Sequence, residues 1–246
     1  MSWRHEEKFM IDEYAFKRLL YSLKPVLHQD PHARQLPDCS ENGYRIRSLY
    51  FDDAASRGVF EKLSGIDHRH KFRIRIYDND DSVIRLEKKI KMNSLSRKDS
   101  CILNKELVQS LCHHDVEPLF LAHRAARTRS EFDLTGQLYC EWQTAHLRPK
   151  VLVDYVRIPF LWPDGRVRIT FDRYLSTGYF RQDLWDPDAS MKTILPPEWT
   201  IMEVKYDAYM PEFIANLINS SGFSQISVSK YVQCALGTRI NTWETC

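Results

Sequence analysis

The sequence lacks the short motifs by which nucleotide-binding and metal-binding proteins are usually recognised. It contains no glycine-rich phosphate loop, no nucleophile elbow, no Cys/His metal motif and no internal repeat. These absences exclude the familiar nucleotide-binding fingerprints and zinc sites as the source of an activity. The evidence for function therefore has to come from the pattern of the strands.

Paired cysteines and long apolar segments are missing as well. The six cysteines, at positions 39, 101, 112, 140, 234 and 246, show no C-x-x-C spacing, so we expect free thiols. No apolar run approaches the roughly 18 residues of a membrane span, and the N-terminal residues lack the apolar core of a signal peptide. We expect a soluble, cytoplasmic protein. With 246 residues, 43% of them hydrophobic, the chain can form a single domain over residues 1–246.

What the chain does contain is a strand with positive charge on one face. Between His68 and Tyr77 the sequence reads HRHKFRIRIY, in which Lys71, Arg73 and Arg75 alternate with Phe72, Ile74 and Ile76. Successive side chains of a strand point to opposite faces, so the apolar residues should pack on a core while the cations project together. Taken alone, this pattern is also typical of the solvated face of an ordinary antiparallel sheet.

The same alternation recurs in five other segments, namely 4–8, 83–91, 151–157, 166–172 and 201–207. Across all six segments the residues in phase are twelve cations (Arg4, Lys8, Lys71, Arg73, Arg75, Arg85, Lys89, Lys91, Arg157, Arg166, Arg168 and Lys205) and three acids (Glu6, Glu87 and Glu203). This set carries a charge of +9, whereas the whole chain carries only +2. If the faces meet, they form a cationic surface with a few carboxylates, which suits a polyanion and a divalent metal. Nucleic acid alone would not need the carboxylates.

The remaining segments predict packing elements and loops. We expect a helix from Asp12, as its cap, to about Lys24, further helices near 54–63, 104–114, 117–127, 130–147, 211–220 and 226–237, and a hairpin turn at 164–166. Residues 28–42 and 176–199 are expected to be irregular, and the polar stretch 92–100 is expected to be a surface loop. In the strand 44–52, the sequence does not decide whether Tyr44 and Tyr50 or Arg45 and Arg47 face the charged surface.

Eight motifs, in order, resemble those of a known family. They are RxExK at 4–8, SLYFD at 48–52, KFRIRIY at 71–77, LEKKIK at 86–91, DYVR at 154–157, RVRITFD at 166–172, MEVKYD at 202–207 and SKY at 229–231. This set, which spans nearly the whole chain, resembles the VTC domain. That domain is the polyphosphate polymerase domain of the vacuolar transporter chaperone type, within the triphosphate tunnel metalloenzyme (CYTH-like) superfamily.

The resemblance implies an α+β fold, an antiparallel β-barrel that forms a tunnel with helices packed outside. It further implies ATP, inorganic triphosphate or polyphosphate as ligands and Mn²⁺ or Mg²⁺ as cofactor. The phosphate-binding and catalytic roles of the family fall on Lys8, Arg73, Arg75, Lys89, Arg157, Arg168 and Lys230. Further substrate contacts are expected from Arg4, Lys71, Lys91, Lys98, Arg166, Lys205 and Ser229, and metal contacts from Glu203, Glu87 and Glu6.

Arg4 stands where hydrolytic relatives in the wider superfamily carry the first acid of an ExExK motif. The substitution, which VTC-like members share, exchanges a metal-binding carboxylate for a phosphate-binding cation. A phosphate acceptor is already ionised at neutral pH and needs no general base, whereas an attacking water gains more from a second metal or a base. The motif therefore favours phosphoryl transfer over hydrolysis.

Three functions remain open from the sequence. The first is a polyphosphate polymerase that uses ATP, the second a metal-dependent triphosphatase, and the third a non-catalytic module that binds polyphosphate or a phosphorylated ligand. Nucleic-acid binding is not expected, and it would show as a salt-dependent affinity without preference for triphosphate ends. The acceptor, the product length and the oligomeric state are not encoded in any motif.

Overall fold

A computed structural model describes residues 3–36, 39–179, 184–219 and 222–239, with the backbone alone at residues 39, 40, 129, 130, 132, 179 and 239. The strands are β1 Arg4–Asp12, β2 His28–Gln29, β3 Arg34–Leu36, β4 Cys39–Asp52, β5 His68–Tyr77, β6 Asp80–Met92, β7 Leu95–Leu103, β8 Arg148–Trp162, β9 Val167–Tyr179, β10 Lys192–Thr193 and β11 Trp199–Tyr206. The helices are α1 Glu13–Leu23, α2 Arg57–Leu63, α3 Lys105–Cys112, α4 Glu117–Ala125, α5 Arg129–Thr144, α6 Glu212–Asn219 and α7 Lys230–Arg239.

Eight antiparallel strands close into a barrel. Their order around the ring is β9, β11, β1, β7, β6, β5, β4 and β8, and β8 pairs with β9 to close it. The short strands β10, β2 and β3 extend from β9, β8 and β4. The seam between β1 and β7 is narrow, with only Arg4 opposite Ser96 and His5 opposite Leu95. The predicted α+β class and antiparallel barrel are confirmed.

Two helical layers cover the outside of the barrel. On one side α1 and α6 pack on outward residues of β8, β9 and β11, including Val167, Ile169 and Val204. On the other side α3, α4 and α5 cover β5 and β6, where Phe72, Ile74 and Ile76 are almost fully buried. The apolar residues of each alternating strand therefore point outward into the helices, and their charged neighbours point into the barrel.

A third apolar cluster lies inside the barrel, at one end. There α7 places Val232, Cys234 and Ala235 against Val153 of β8 and Leu175 of β9. The helix thus fills this part of the interior with apolar side chains. Charged side chains line much of the remaining lumen.

Several expected boundaries were wrong. The stretch 92–100 is not a surface loop, because β7 starts two residues after a tight turn at Asn93 (φ 53°) and becomes a barrel strand. Residues 96–100 of this strand are polar in both phases, so they show no apolar alternation from which a strand could be predicted; the core residues Cys101 and Leu103 come only at its end.

Other segments also differ from the expectation. Part of the expected loop 28–42 forms β2, β3 and the start of β4, and β9 extends to Tyr179 into the expected excursion. The last helix starts at Lys230 and not at 226, because the Ile226 amide donates a hydrogen bond to the Lys8 carbonyl (2.8 Å) and joins β1 instead. Residues 37–38, 180–183, Ser220 and Cys246, on which parts of these expectations fall, lie outside the described residues.

The layer under α1 provides a test of the packing. Leu20 is 1% exposed and its neighbour Tyr21 is 69% exposed. We expect Leu20→Ala to lower the free energy of unfolding by about 2 to 5 kcal/mol, because it leaves a cavity. Tyr21→Ala, as the matched control, should change it by no more than about 0.5 kcal/mol. Urea denaturation measures both, and equal losses would contradict this account of the α1 interface.

Candidate functional site

The barrel encloses a cavity of about 700 Å³. All but one of the predicted site residues line it: Arg4, Glu6, Lys8, Lys71, Arg73, Arg75, Lys89, Lys91, Lys98, Arg157, Arg166, Arg168, Glu203, Lys205, Ser229 and Lys230. The exception is Glu87, which is fully buried behind the cations that face the cavity. The alternating strands therefore do converge on one lumen. Arg85, although in phase with them, is not among the lining residues.

Strand β4 presents its tyrosines to the cavity. Tyr44 and Tyr50 line it, whereas Arg47 points away and is 1% exposed, with its Nε donating to Asp154 Oδ2 (2.7 Å). The alternation of apolar residues could not decide which face of β4 lines the cavity. Arg47 is on the outward face, where a buried carboxylate, Asp154, neutralises it.

The tyrosine hydroxyls hold lumen guanidinium groups in place, a role that the sequence reading missed. Arg73 donates to Tyr50 Oη (2.7 Å) and Arg168 to Tyr44 Oη (2.6 Å). Arg75 likewise donates to Tyr155 Oη, at 3.3 Å. The signal was present in the sequence, since Tyr44 and Tyr50 share one strand parity and Tyr155 is in phase with Arg157.

Glu203 of β11 lies at the centre of the lumen, surrounded by four cations. Its two oxygens contact Lys230 Nζ at 2.7 Å, Lys205 Nζ at 2.9 Å, Lys8 Nζ at 3.4 Å and Arg157 Nη2 at 3.5 Å. Burial alone would raise the pKa of Glu203, but the surrounding lysines and Arg157 hold it well below its usual value. Glu203 is therefore ionised at neutral pH.

Asp172 of β9 completes this centre, and the sequence reading did not single it out. Its carboxylate accepts two hydrogen bonds from Arg157 (2.7 and 2.8 Å) and contacts Lys230 Nζ at 2.5 Å. Burial by itself raises the pKa of Asp172, but Arg157 and Lys230 lower it below its usual value. The bidentate geometry fixes the Arg157 guanidinium. Asp172 is in phase with Arg168 on β9, which is the signal that could have revealed it.

Glu6 and Glu87 form two further carboxylate centres. Both oxygens of Glu6 contact Lys89 Nζ at 2.8 Å, and one also lies 3.6 Å from Lys205 Nζ. Glu87 accepts from Arg73 (2.7 Å) and from Lys98 (2.6 Å). Burial raises the pKa of each glutamate, but the neighbouring cations outweigh it and hold both well below the usual value.

Three further cations of the cavity are paired with acids outside the carboxylate centres. Asp207 contacts Arg4 at 2.8 Å and Arg166 at 2.5 Å, and Asp30 contacts Arg168 at 2.9 Å. Arg4 is partly exposed. Arg4 thus contributes a positive side chain to the cavity wall, at the position that is an acid in an ExExK motif.

The carboxylates do not form a metal site by themselves. Within the part of the chain that the structure describes, no three Asp, Glu, His or Cys side chains come together in a group that could hold a metal ion. Glu203 and Glu6 do lie on adjacent strands and share Lys8 and Lys205 as contacts. Glu87 faces a different set of cations. Two carboxylates beside a phosphate site match what Mg²⁺ usually takes from a protein, because it obtains its other ligands from water and substrate phosphates.

This arrangement is suited to binding a chain of phosphates. Lysine and arginine donors are held at fixed positions by carboxylates and hydroxyls, so little side-chain entropy is lost when phosphate oxygens replace some of these partners. Each additional phosphate group would meet another donor already in place.

Comparison with known proteins gave one family match. A sequence profile described as the VTC domain matches residues 3–237. A search of curated protein sequences found no match.

Solved structures with a similar course of the chain were also found. One is described as a candidate adenylate cyclase from Bacillus halodurans, with 13% identity, a TM-score of 0.49 and coverage of 93% of this chain and 96% of that one. Another is the PH1819 protein from Pyrococcus horikoshii OT3, with 10% identity, a TM-score of 0.47 and coverage of 95% and 98%. In the described residues of the present structure, none of the helices has the length and apolarity to span a bilayer.

The lysines of the lumen predict a pH dependence of binding. Burial lowers the pKa of Lys71 to about 8 despite Asp52 and Glu61, with Arg69 and Lys62 acting in the same direction as burial, and burial lowers the pKa of Lys98 to about 8 despite Glu87. A bound anion favours the protonated ammonium, so we expect proton uptake on metal-free triphosphate binding near pH 8 and weaker binding at higher pH. Titration calorimetry in two buffers of different ionisation enthalpy measures the uptake. Lys71→Gln should take up fewer protons than the wild type, and equal uptake would contradict the assignment.

Proposed function

Because this chain belongs to the VTC domain family, we propose that it is a polyphosphate polymerase, which transfers the γ-phosphoryl group of ATP to a growing polyphosphate chain. At the coarser level the chain is a tunnel protein of a polyphosphate-related and triphosphate-related family. The observation that carries the finer proposal is the convergence of Lys8, Arg157, Lys205 and Lys230 on Glu203 inside a closed barrel.

The residues of the lumen would act mainly by positioning and by neutralising charge. Phosphoryl transfer spreads negative charge over the oxygens of the transferred group, and fixed cationic donors stabilise that charge without reorganising. Arg157, held by Asp172, and Arg73, held by Glu87 and Tyr50, are such donors. The acceptor oxygen of a polyphosphate end is already ionised, so the chain needs no side chain to remove a proton.

We further propose that Mn²⁺ or Mg²⁺ binds together with the substrate. Glu203 and Glu6 would hold the ion, because they line the cavity and share two lysines that bound phosphates could recruit. Such an ion would supply charge neutralisation to the phosphate oxygens. Glu87, which the sequence reading also placed at the metal, lies behind Arg73 and Lys98 and would position those cations instead.

Arg4 supports transfer over hydrolysis. It lines the end of the cavity beside Arg166, and both contact Asp207. A cation at this position adds a phosphate donor and removes a carboxylate that could hold a second metal ion near an attacking water. A triphosphatase would release phosphate from ATP or triphosphate without chain growth.

One observation favours a second candidate, a non-catalytic module that binds polyphosphate. Among the described residues, the lumen carboxylates are neutralised by lysine and arginine, and no group of three metal-ligating side chains is present. Binding that persists after metal removal, with no turnover of ATP, would identify this function.

The proposal predicts a defined product. Purified protein incubated with ATP and Mn²⁺ or Mg²⁺ should yield polyphosphate that separates as a ladder on a gel, and chelation of the metal should abolish the ladder. Steady release of inorganic phosphate without a ladder would overturn the polymerase and favour the triphosphatase.

Two substitutions separate metal binding from phosphate binding. Glu203→Gln should retain or strengthen metal-free triphosphate binding, since a negative charge leaves a cationic cavity, and should lose nearly all metal-dependent turnover. Arg73→Gln should weaken triphosphate binding by about 1.5 to 3 kcal/mol, because a charge-assisted hydrogen bond is lost, and should lower turnover with it.

Both quantities are measured on each variant, by calorimetry without metal and by ATP turnover with metal. Thermal unfolding confirms that the variants are folded. Full activity in Glu203→Gln, or equal loss of binding in both variants, would show that Glu203 does not hold the metal.

A further inference from the structure

Beside α2, four of the cations that line the cavity differ from the others in their surroundings. Lys62, Arg69, Lys71 and Lys91 line the lumen next to the exposed Gln225 and Ser227, so the cavity reaches the surface there. We call these four cations the α2 rim. Lys62 lies on α2, and Arg69 is in phase with Lys71 on β5, but the sequence analysis assigned neither residue to the site.

In the described part of the chain, the cations of the α2 rim form no ion pairs, although acids lie near two of them: Asp52 and Glu61 near Lys71, and Glu6 and Asp67 near Lys91. Among the residues that the structure describes, no ion pair involves any of the four, whereas the cations around Glu6, Glu87 and Glu203 are all paired with carboxylates. Lys62 Nζ donates to Ser227 Oγ (2.6 Å), and Lys71 Nζ lies over the Tyr231 ring, 4.5 Å from its centroid. Glu61, on the same helix as Lys62, pairs with Arg57 at 2.9 Å.

The four cations also lie close to one another. Arg69 and Lys91 are directly opposite on β5 and β6, a placement in which like charges destabilise a sheet. Burial, Arg69 and Lys8 lower the pKa of Lys62, and they lower that of Lys91 as well, despite the opposite effect of Glu6 and Asp67. Four neighbouring cations that line a cavity and form no ion pair favour the binding of an anion.

The α2 rim continues the track of the central donors. Lys71 and Lys91 are the next lumen-facing positions after Arg73 and Lys89 on the same strands, a step of about 7 Å along each strand. A phosphate chain held at Arg73 and Lys89 and long enough to extend by this step would meet the rim.

We propose that the α2 rim is a binding subsite for the part of a polyphosphate chain that extends beyond the phosphates held at the centre. This inference depends on the proposed function only in taking polyphosphate as the ligand. It assigns Lys62 and Arg69 to recognition of long chains, and it makes the end of the lumen beside α2 the end from which the polymer leaves the tunnel.

The test compares two ligands in the absence of metal, inorganic triphosphate and a polyphosphate of defined, greater length. The variant is Lys62→Gln with Arg69→Gln, and its control is Lys17→Gln with Arg18→Gln. The control removes the same charge from exposed positions of α1 that do not line the cavity. Affinities are measured by calorimetry at one ionic strength, and thermal unfolding verifies the fold.

We expect the variant to bind the long polyphosphate at least about tenfold more weakly than the wild type, because charge-assisted hydrogen bonds are lost. Its preference for the long chain over triphosphate should therefore fall. The control should keep the wild-type preference. Equal weakening of both ligands, or an unchanged preference, would overturn the subsite. If the double variant does not fold, Lys62→Gln alone should lower the preference by a smaller factor, and an unchanged preference would again overturn it.

The binding measurement does not depend on whether the protein catalyses polyphosphate synthesis. If the wild-type protein makes no polyphosphate ladder from ATP but the variant loses its preference for the long chain, the polymerase is wrong and the subsite stands. If the ladder forms and the preference is unchanged, the subsite alone is wrong.

Discussion

The structure depends on the neutralisation of cations that are enclosed in a barrel. A buried unpaired charge is costly, and the attraction of a carboxylate offsets that cost only when the geometry is close. Three glutamates and Asp172 provide this compensation, and each is contacted by at least two cations. These acids allow the lysines and arginines that contact them to be buried close together in the lumen.

The same neutralisation prepares the lumen for its ligand. Phosphate oxygens can take over the donors that now contact Glu203 and Glu6, and the released carboxylates are then available to a divalent ion. Donors that are held by Tyr44, Tyr50 and Asp172 remain in position during this exchange. Under the proposed function, such a tunnel would bind phosphate chains through exchange of partners more than through rearrangement of the backbone.

The charge is not balanced evenly along the lumen. The cations around Glu203 and those that contact Asp207 are paired, whereas the four cations of the α2 rim form no ion pair among the described residues. The apolar residues of α7 occupy another part of the interior, so the charged lumen passes beside that helix toward α2. The lumen is therefore asymmetric: its central cations are paired with carboxylates, and those at the α2 rim, where we propose that the polymer leaves, form no ion pair in the described part of the chain.

The sequence by itself predicted the barrel, through eight motifs that resemble the VTC domain, and it predicted most of the lining through the alternation of its strands. Period-two alternation assigned Arg73, Lys89, Arg168 and Glu203 to one face, because a strand has only two faces and the apolar one must be buried. It could not assign β7, whose residues 96–100 are polar in both phases. Nor could it orient β4, where the buried pair of Arg47 and Asp154 places an arginine on the outer face.

Only the tertiary structure decided which charges meet. The pairing of Asp172 with Arg157 depends on strand register, and that of Lys230 with Glu203 on the docking of α7. The α2 rim brings Lys62 of a helix to Arg69 and Lys91 of two strands. Electrostatic interactions act through space over a few ångströms, and distances of that kind between residues far apart in the chain are fixed by packing and not by sequence pattern.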